Sequence, residues 1–436
     1  MKKKTLRFIL FVLAGTLFLL PNFYNNTWRA VDPDFYKEWQ IQYDRLVIAR
    51  LARTHQMGFF SDGGLMGLGD ATKWNYLSST HKHQYDVYFN GGNFQSYLVY
   101  QSNPGFQGFI YGIIDKFLNI PREQKVQVFR GITATASALT FGLIFAFITT
   151  EFGLLAGVFT LTFSAVSIWL VLPAGTIFWN LWALFLPFLA GTYLLADSAK
   201  TGRYHAIKIY TILFLAIVIK ILLSGFDIMT TVLVMSTVPI VYYGIQGNWG
   251  WKTFIERFFK ISLVLSVGTA MGLLIMSFQI ASAEGSPSNV FSYIESRFGH
   301  HFAGNSDYYL NGNIEATKIS IFEVVGKYLV MPAINLRLPG PDGQILYWHL
   351  IVLFAAVTGL YFLHHKRDDG FPRKAIALII STWFSILAPL SWYILFRPHS
   401  IIHTHVNTMG WQMPFTLLGF ALCGFVITDL LKRKTS

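Results

Sequence analysis

Charged side chains are scarce in this sequence. They make up 13% of its 436 residues, against about 25% in an ordinary soluble domain. A chain so poor in charge cannot cover a folded surface with groups that water solvates, which excludes a free-standing soluble protein. Cysteine is scarcer still: the single Cys423 falls in the last apolar segment, so an internal disulfide and a cysteine-built metal site are both excluded. Acidic residues are few, 22 against 34 Lys and Arg. In a soluble protein the resulting +12 would point to nucleic acid. Here the basic residues cluster in short connections between apolar runs, which is a topology signal, and no nucleic-acid partner is expected. No phosphate-cradling glycine loop precedes a helix in those connections, so no nucleotide-hydrolysing domain is expected either. An internal repeat is also missing, and with it the inverted-repeat signature of many secondary transporters.

What the sequence does have is apolar length. Hydrophobic residues reach 53% and aromatic residues 17%, and runs of roughly 18 or more apolar residues, such as 261–280, are long enough to cross a hydrocarbon core. The expected fold class is an all-α integral membrane protein with about ten transmembrane helices. Residues 1–23, opening with Lys2, Lys3 and Lys4 and lacking a small-x-small cleavage site, read as an uncleaved signal anchor. A large first outer loop (24–130) follows, then helices two to seven within 131–281, at 131–149, 153–171, 179–196, 209–224, 228–244 and 261–281. A second outer loop (282–346) precedes helices eight to ten within 347–436, at 347–363, 374–395 and 411–430. This threading puts Lys200, Arg203 and Lys208, then Lys252, Arg257 and Lys260, then 364–367, and finally 432–434 on one side. The positive-inside rule makes that side the cytoplasm, with both termini in it.

Chemistry is therefore sought in the outer loops. The first opens with Asp32-Pro33-Asp34. Pro33 biases Asp32 towards an extended backbone, and Asp34 then sits as the N-cap carboxylate of a helix running to Met57. On that helix Phe35, Trp39, Tyr43, Leu46, Val47 and Leu51 share one broad face, with Lys37 and Asp44 opposite. Ile41 and Ile48 fall on the polar side, which suits a helix on the membrane surface partly covered by protein. The pattern Asp-x-Asp reads equally as capping and solvation, but two carboxylates just above the outer leaflet could take a proton from an acceptor hydroxyl. They could also hold a divalent cation such as magnesium or manganese.

Lys220 lies inside the fifth apolar segment, with Asp227 seven positions on. An ionisable group there is either a functional contact for an anionic headgroup or a side chain snorkelling to the outer interface. The last outer loop, 397–407, carries Arg397, His399, His403 and His405. His399 and His403 have one-turn spacing if helical, so three readings stand: a zinc site, a phosphate or sugar contact made with Arg397, and a solvated loop. The pairs His81/His83 and His300/His301 read as ordinary loop residues. Aromatics crowd the first loop at Trp74, Tyr76, Tyr85, Tyr88, Phe89, Phe94, Tyr97 and Tyr100, fit either for stacking on sugars or for anchoring at the interface.

Asp32-Pro33-Asp34, the helix after it and the run 58–64 (Gly-Phe-Phe-Ser-Asp-Gly-Gly) resemble the GT-C superfamily of membrane glycosyltransferases. The run 100–108, which contains Gln107 as a candidate substrate contact, is similar to a stretch in bacterial relatives of that type. The resemblance implies a bacterial cytoplasmic-membrane enzyme that takes a sugar from a polyprenyl-phosphate donor and passes it to a glycan or lipid acceptor on the outer face. Asp32 or Asp34 would be the base, with Arg397, the nearby histidines and Lys220 steadying the departing phosphate. A polysaccharide polymerase or ligase would rely instead on Arg397 and His403, and a transporter or flippase would scatter charges through several helices.

Overall fold

The computed structural model of the protein describes residues 2–71, 78–286, 290, 320–335, 344–365 and 371–434. The His300/His301 pair, Trp74 and Tyr76 lie outside the described residues. The first loop region is largely helical. After α1 (Lys2–Asn25) come α2 (Pro33–Met57), α3 (Ser78–Asn90) and α4 (Phe106–Phe117), with a hairpin of β1 (Gly67–Gly69) and β2 (Tyr97–Val99) between them. The bundle continues through α5 (Arg122–Phe152), α6 (Leu154–Val166), α7 (Ile168–Ala174), α8 (Leu181–Thr201), α9 (Ala206–Ser224), α10 (Met229–Gln246) and α11 (Trp251–Glu284). Then follow α12 (Ile321–Leu329), a second hairpin of β3 (Pro332–Asn335) and β4 (Gln344–Leu346), and α13 (Tyr347–His364). The chain finishes with α14 (Arg373–Ser385), α15 (Leu387–Leu395), the short α16 (Arg397–Ile402) and α17 (Thr404–Asn407), and α18 (Phe415–Lys434).

Among the described residues nine helical segments are long and apolar enough to cross a membrane, and Leu154–Val166 is a shorter apolar helix. The protein is thus a multi-pass, mostly helical membrane protein. The segment expected at 153–171 differs from that expectation. Its helix breaks at Ser167, whose ψ of 117° is extended and which bridges to Ile334, leaving α6 as 13 residues. At about 1.5 Å per residue α6 spans only some 20 Å.

Residues 168–181 are all buried, yet 175–180 is not helical. Irregular backbone at this depth must find partners for its N–H and C=O groups from other elements, and it does. Asp44 Oδ1 accepts from Ile177 N (2.9 Å), Gln107 Nε2 donates to the Phe178 carbonyl (3.2 Å) and Ser137 to that of Ala174 (2.9 Å). Ser224 donates to the carbonyl of Trp179 (2.8 Å), and Asn180 reaches Leu223 (3.2 Å). Four helices (α2, α4, α5 and α9) therefore converge on this one loop.

Helix α2 stops at Gly58 as expected, but its N-cap is Asp32 and not the expected Asp34, because Pro33 is itself the first helical residue. Asp32 Oδ1 accepts from the N–H groups of Asp34 and Phe35, each at 3.1 Å. Pro33 fills the first turn, where its missing N–H costs nothing, and Gly58 ends the helix at φ 90°. Its faces are not those of a surface helix. Phe35 and Lys37 are exposed as a first turn in water would have them, but 44–52 is buried on every side, enclosed by α3, α4, α7 and β1. Asp44, expected on the solvent face, is fully buried, and Ile48 lies buried with it. The burial is tolerable because Arg130 Nε sits 2.8 Å from Asp44 Oδ2, and an opposite charge at hydrogen-bond distance is what a buried carboxylate needs.

The two ends of the bundle differ. At one, Lys374 Nζ reaches Glu151 Oε1 (3.0 Å) and its carbonyl (2.7 Å), and Tyr242 joins the same carboxylate at 2.8 Å. Nearby the Arg257 guanidinium lies over Tyr204 (4.0 Å) and Trp249 (4.2 Å), clamping the α8–α9 and α10–α11 connections together. The other end holds α2 to α4, the 225–229 turn and the 397–407 loop. Between the ends runs α11, 34 residues long, with few buried positions and an apolar stripe from Trp251 to Phe278 left exposed.

Candidate functional site

At the end opposite Glu151 the structure brings α2 against the histidine loop. The Trp39 ring, two turns into α2, lies 6.1 Å from His405 and 6.4 Å from Trp169 of α7. His405 is 5.8 Å from His403, which is 4.6 Å from His399, and the Trp392 ring closes the run at 5.6 Å. His403 N–H donates to the His399 carbonyl at 3.0 Å, so the expected one-turn spacing is present. All three imidazoles and Arg397 are half-buried. Among the described residues no group of three His, Cys, Asp or Glu side chains is placed to hold a metal ion, so the zinc reading has no geometric support here.

The two acids of the first loop differ in their freedom. Both are exposed, but Asp32 is engaged as the N-cap of α2. The Asp34 carboxylate has no hydrogen-bond or ion-pair partner among the described residues. Of the pair it is Asp34 that can meet a proton donor without loosening the helix.

In the other direction along α2, Trp39 touches Tyr43 (4.5 Å), and Tyr43 touches Phe178 (5.8 Å) and Trp179 (5.5 Å). Tyr100 meets Phe178 at 6.1 Å. Gln107 is here too, buried, with Nε2 on the Phe178 carbonyl and Oε1 lacking any hydrogen-bond partner among the described residues. Lys220 borders the same loop through Ser224. It does not snorkel: it is fully buried, and Nζ donates to the carbonyls of Gly225 (2.7 Å) and Asp227 (3.2 Å) and approaches Met229 Sδ at 3.6 Å. An ammonium has three protons, and three acceptors stand within reach of Nζ.

Other first-loop residues are structural. Tyr85, Tyr88 and Phe94 are core. His83 is bonded to Asp70 (3.0 Å), while His81 is buried, and burial together with the Arg45 guanidinium pushes its imidazole down to about 4. Several buried charged groups escaped the reading of the sequence, among them Arg130, Arg50 and Asp115. Arg50, 1% exposed, donates to the carbonyls of Phe59 (2.6 Å), Ser61 (2.7 Å) and Gly58 (3.2 Å), shaping the 58–64 turn. Asp115 is buried at the junction of four helices. For Arg50 a signal existed, an arginine inside an apolar stretch eight residues before a glycine turn. For Asp115 nothing marked it apart from an ordinary helix carboxylate.

Compared with known proteins, the chain matches no family model, no curated protein and no solved structure.

Proposed function

We propose that the protein is a GT-C-type glycosyltransferase. It would move a sugar from a polyprenyl-phosphate donor to a glycan or lipid acceptor at the outer face of a bacterial cytoplasmic membrane, with the Glu151 end and both termini cytoplasmic. The observation that carries this reading is the contact between Trp39 and His405. It sets the helix that begins at Asp32 and Asp34 beside the loop that holds Arg397 and the histidines, at the end away from the basic connections. Charge placement supports the orientation.

In this scheme Asp34 takes the proton of the acceptor hydroxyl as that oxygen attacks the anomeric carbon. The bond from that carbon to the phosphate oxygen breaks, and the phosphate leaves with an added negative charge. Arg397 offers a fixed positive group for it. Lys220, with three acceptors within reach of its ammonium, is the weakest of the candidate phosphate contacts and serves better to hold the 225–229 turn. The capping role of Asp32 favours a second reading on one point, since a polymerase or ligase would need only Arg397 and His403. Membranes bearing Asp34→Asn, Asp32→Asn, Arg397→Ala and His403→Ala, assayed for transfer from a polyprenyl-phosphate-linked sugar, separate the two. The transferase reading fails if both Asn variants turn over normally while Arg397→Ala is dead.

A further inference from the structure

The floor under α2 combines two features that rarely meet in a plain hydrophobic core. Its rings are graded by access: Trp39, Phe178 and Trp179 are buried, while Tyr43 and Tyr100 are only half-buried. Its polar atoms are incomplete: the indole nitrogens of Trp39 and Trp179 have no acceptor among the described residues, and Gln107 Oε1 has no donor. Buried indole N–H groups ordinarily find a partner, and a buried polar atom left without one costs about 1–3 kcal/mol. Three on one floor mark a place where a partner is supplied from outside.

The chemistry of that partner can be read from what the floor offers. It offers aromatic faces, the indole donors of Trp39 and Trp179, the Gln107 acceptor and the phenol hydroxyls of Tyr43 and Tyr100, and no free charge. Asp44 is held by Arg130 and by Ile177 N–H, and Lys220 by carbonyls. A phosphate or a nucleotide would find no counter-charge on it. A neutral saccharide presents an apolar face of C–H groups and a rim of hydroxyls, each able to donate and to accept, which is the complement of this surface. The rings form one connected run, Tyr100 to Phe178 (6.1 Å), Phe178 to Tyr43 (5.8 Å), Tyr43 to Trp39 (4.5 Å) and Trp39 to His405 (6.1 Å).

We infer that this floor, Trp39, Tyr43, Phe178, Trp179 and Tyr100 with Gln107, is a binding track for an extended neutral saccharide chain. It rests on the transferase reading for its purpose, naming an oligosaccharide as the substrate class, but binding to it requires no turnover. Tyr43 and Tyr100 stack on sugar faces, and the two indoles and Gln107 bond hydroxyls.

The test is calorimetric titration of the purified full chain in detergent with maltotetraose, chitotetraose and glucose. At least one tetrasaccharide should bind at about 1 mM or better, a free energy near −4 kcal/mol, and more tightly than glucose. Tyr43→Ala should weaken that binding about five- to tenfold, as loss of one ring contact does, whereas Tyr43→Phe keeps it, and Tyr100→Ala should act like Tyr43→Ala. The Phe variant retains the ring, so it also controls for folding. Absence of tetrasaccharide binding to wild-type protein with an intact melting transition overturns the track, as does binding that neither Ala variant weakens. The two readings separate cleanly. Saccharide binding through Tyr43 with full activity in Asp34→Asn removes the Asp34 mechanism and keeps the track. A dead Asp34→Asn enzyme with no saccharide binding does the reverse.

Discussion

His55, in the last turn of α2, donates its Nε2 proton to the buried carboxylate of Asp115 in α4. The same carboxylate accepts from Tyr88 of α3 (2.8 Å) and pairs with Lys125 of α5 (2.9 Å), so one side chain ties four helices. Burial alone would raise its pKa. The hydrogen bonds from His55, Lys125 and Tyr88 outweigh that and hold it at about 2, below the ordinary 3.8. A carboxyl depressed on folding contributes stability that is complete above its unfolded pKa and is lost as pH falls through the folded one.

The outer helices should therefore loosen between about pH 4 and pH 2. Asp115→Asn should lower the melting temperature at pH 7, at a cost on the order of 3 kcal/mol for breaking a buried pair, and should flatten the acid limb. Melting curves of both proteins across that range decide the matter. An unchanged acid limb in the variant would place the sensitivity elsewhere.

Arg130 and Asp44 form the second buried pair. Arg130→Met leaves an uncompensated carboxylate at the 177 turn and should cost about 3–5 kcal/mol. Adding Asp44→Asn removes that charge while keeping an acceptor for Ile177 N–H, so the double variant should melt above the single Arg130→Met protein. If the two losses simply add, the pair is not coupled as its geometry requires.

Asp34→Asn should reduce transfer by roughly 10²–10⁴ if the group is the general base, with membrane abundance unchanged. Asp32→Asn retains most capping, and Asp32→Ala should cost about 1 kcal/mol, visible as lower abundance with proportionate activity. Equal kinetic loss in both positions would assign the base to the pair and not to Asp34.

Single cysteines at Asn90 and Arg203, in a background with Cys423 replaced, should react with a membrane-impermeant reagent from opposite sides. Asn90 belongs to the end holding α2, and Arg203 lies just past the C-terminus of α8 at the other. Labelling of both from one side would overturn the threading.

Much of the architecture was legible because lipid imposes a simple rule. Runs such as 209–224 and 228–244 had to be helices of membrane length, and α9 and α10 lie within a few residues of them. The stop of α2 at Gly58 was equally legible; its start was misplaced by two residues, since Pro33 opens the helix and Asp32, not Asp34, caps it. What escaped was decided by contacts distant in the chain. Ser167 breaks a helix because a strand edge near residue 334 takes its backbone. Asp44 is buried because Arg130, 86 positions away, pairs with it. Asp34 and the histidines stood out from the start, but their neighbourhood through Trp39 required the fold. The floor formed by Phe178 and Trp179 was hidden at the joint between two expected spans, 153–171 and 179–196, where nothing local marked it.

The apolar stripe on α11 has a mechanical consequence. Its residues 261–280 cover about 30 Å at 1.5 Å per residue, the thickness of a hydrocarbon core, and Lys252, Glu256, Arg257 and Lys260 precede that stretch. In a thinner bilayer such a helix must lean or thicken the lipid around it, and α11 is not free to lean alone. Gly268 and Gly272 lie against Ile217 and Ile221 of α9, and Gln279 donates to the carbonyls of Gly63 (3.2 Å) and Pro104 (2.8 Å). A thinner bilayer asks α11 for more tilt, and the load arrives at the turn that Arg50 shapes.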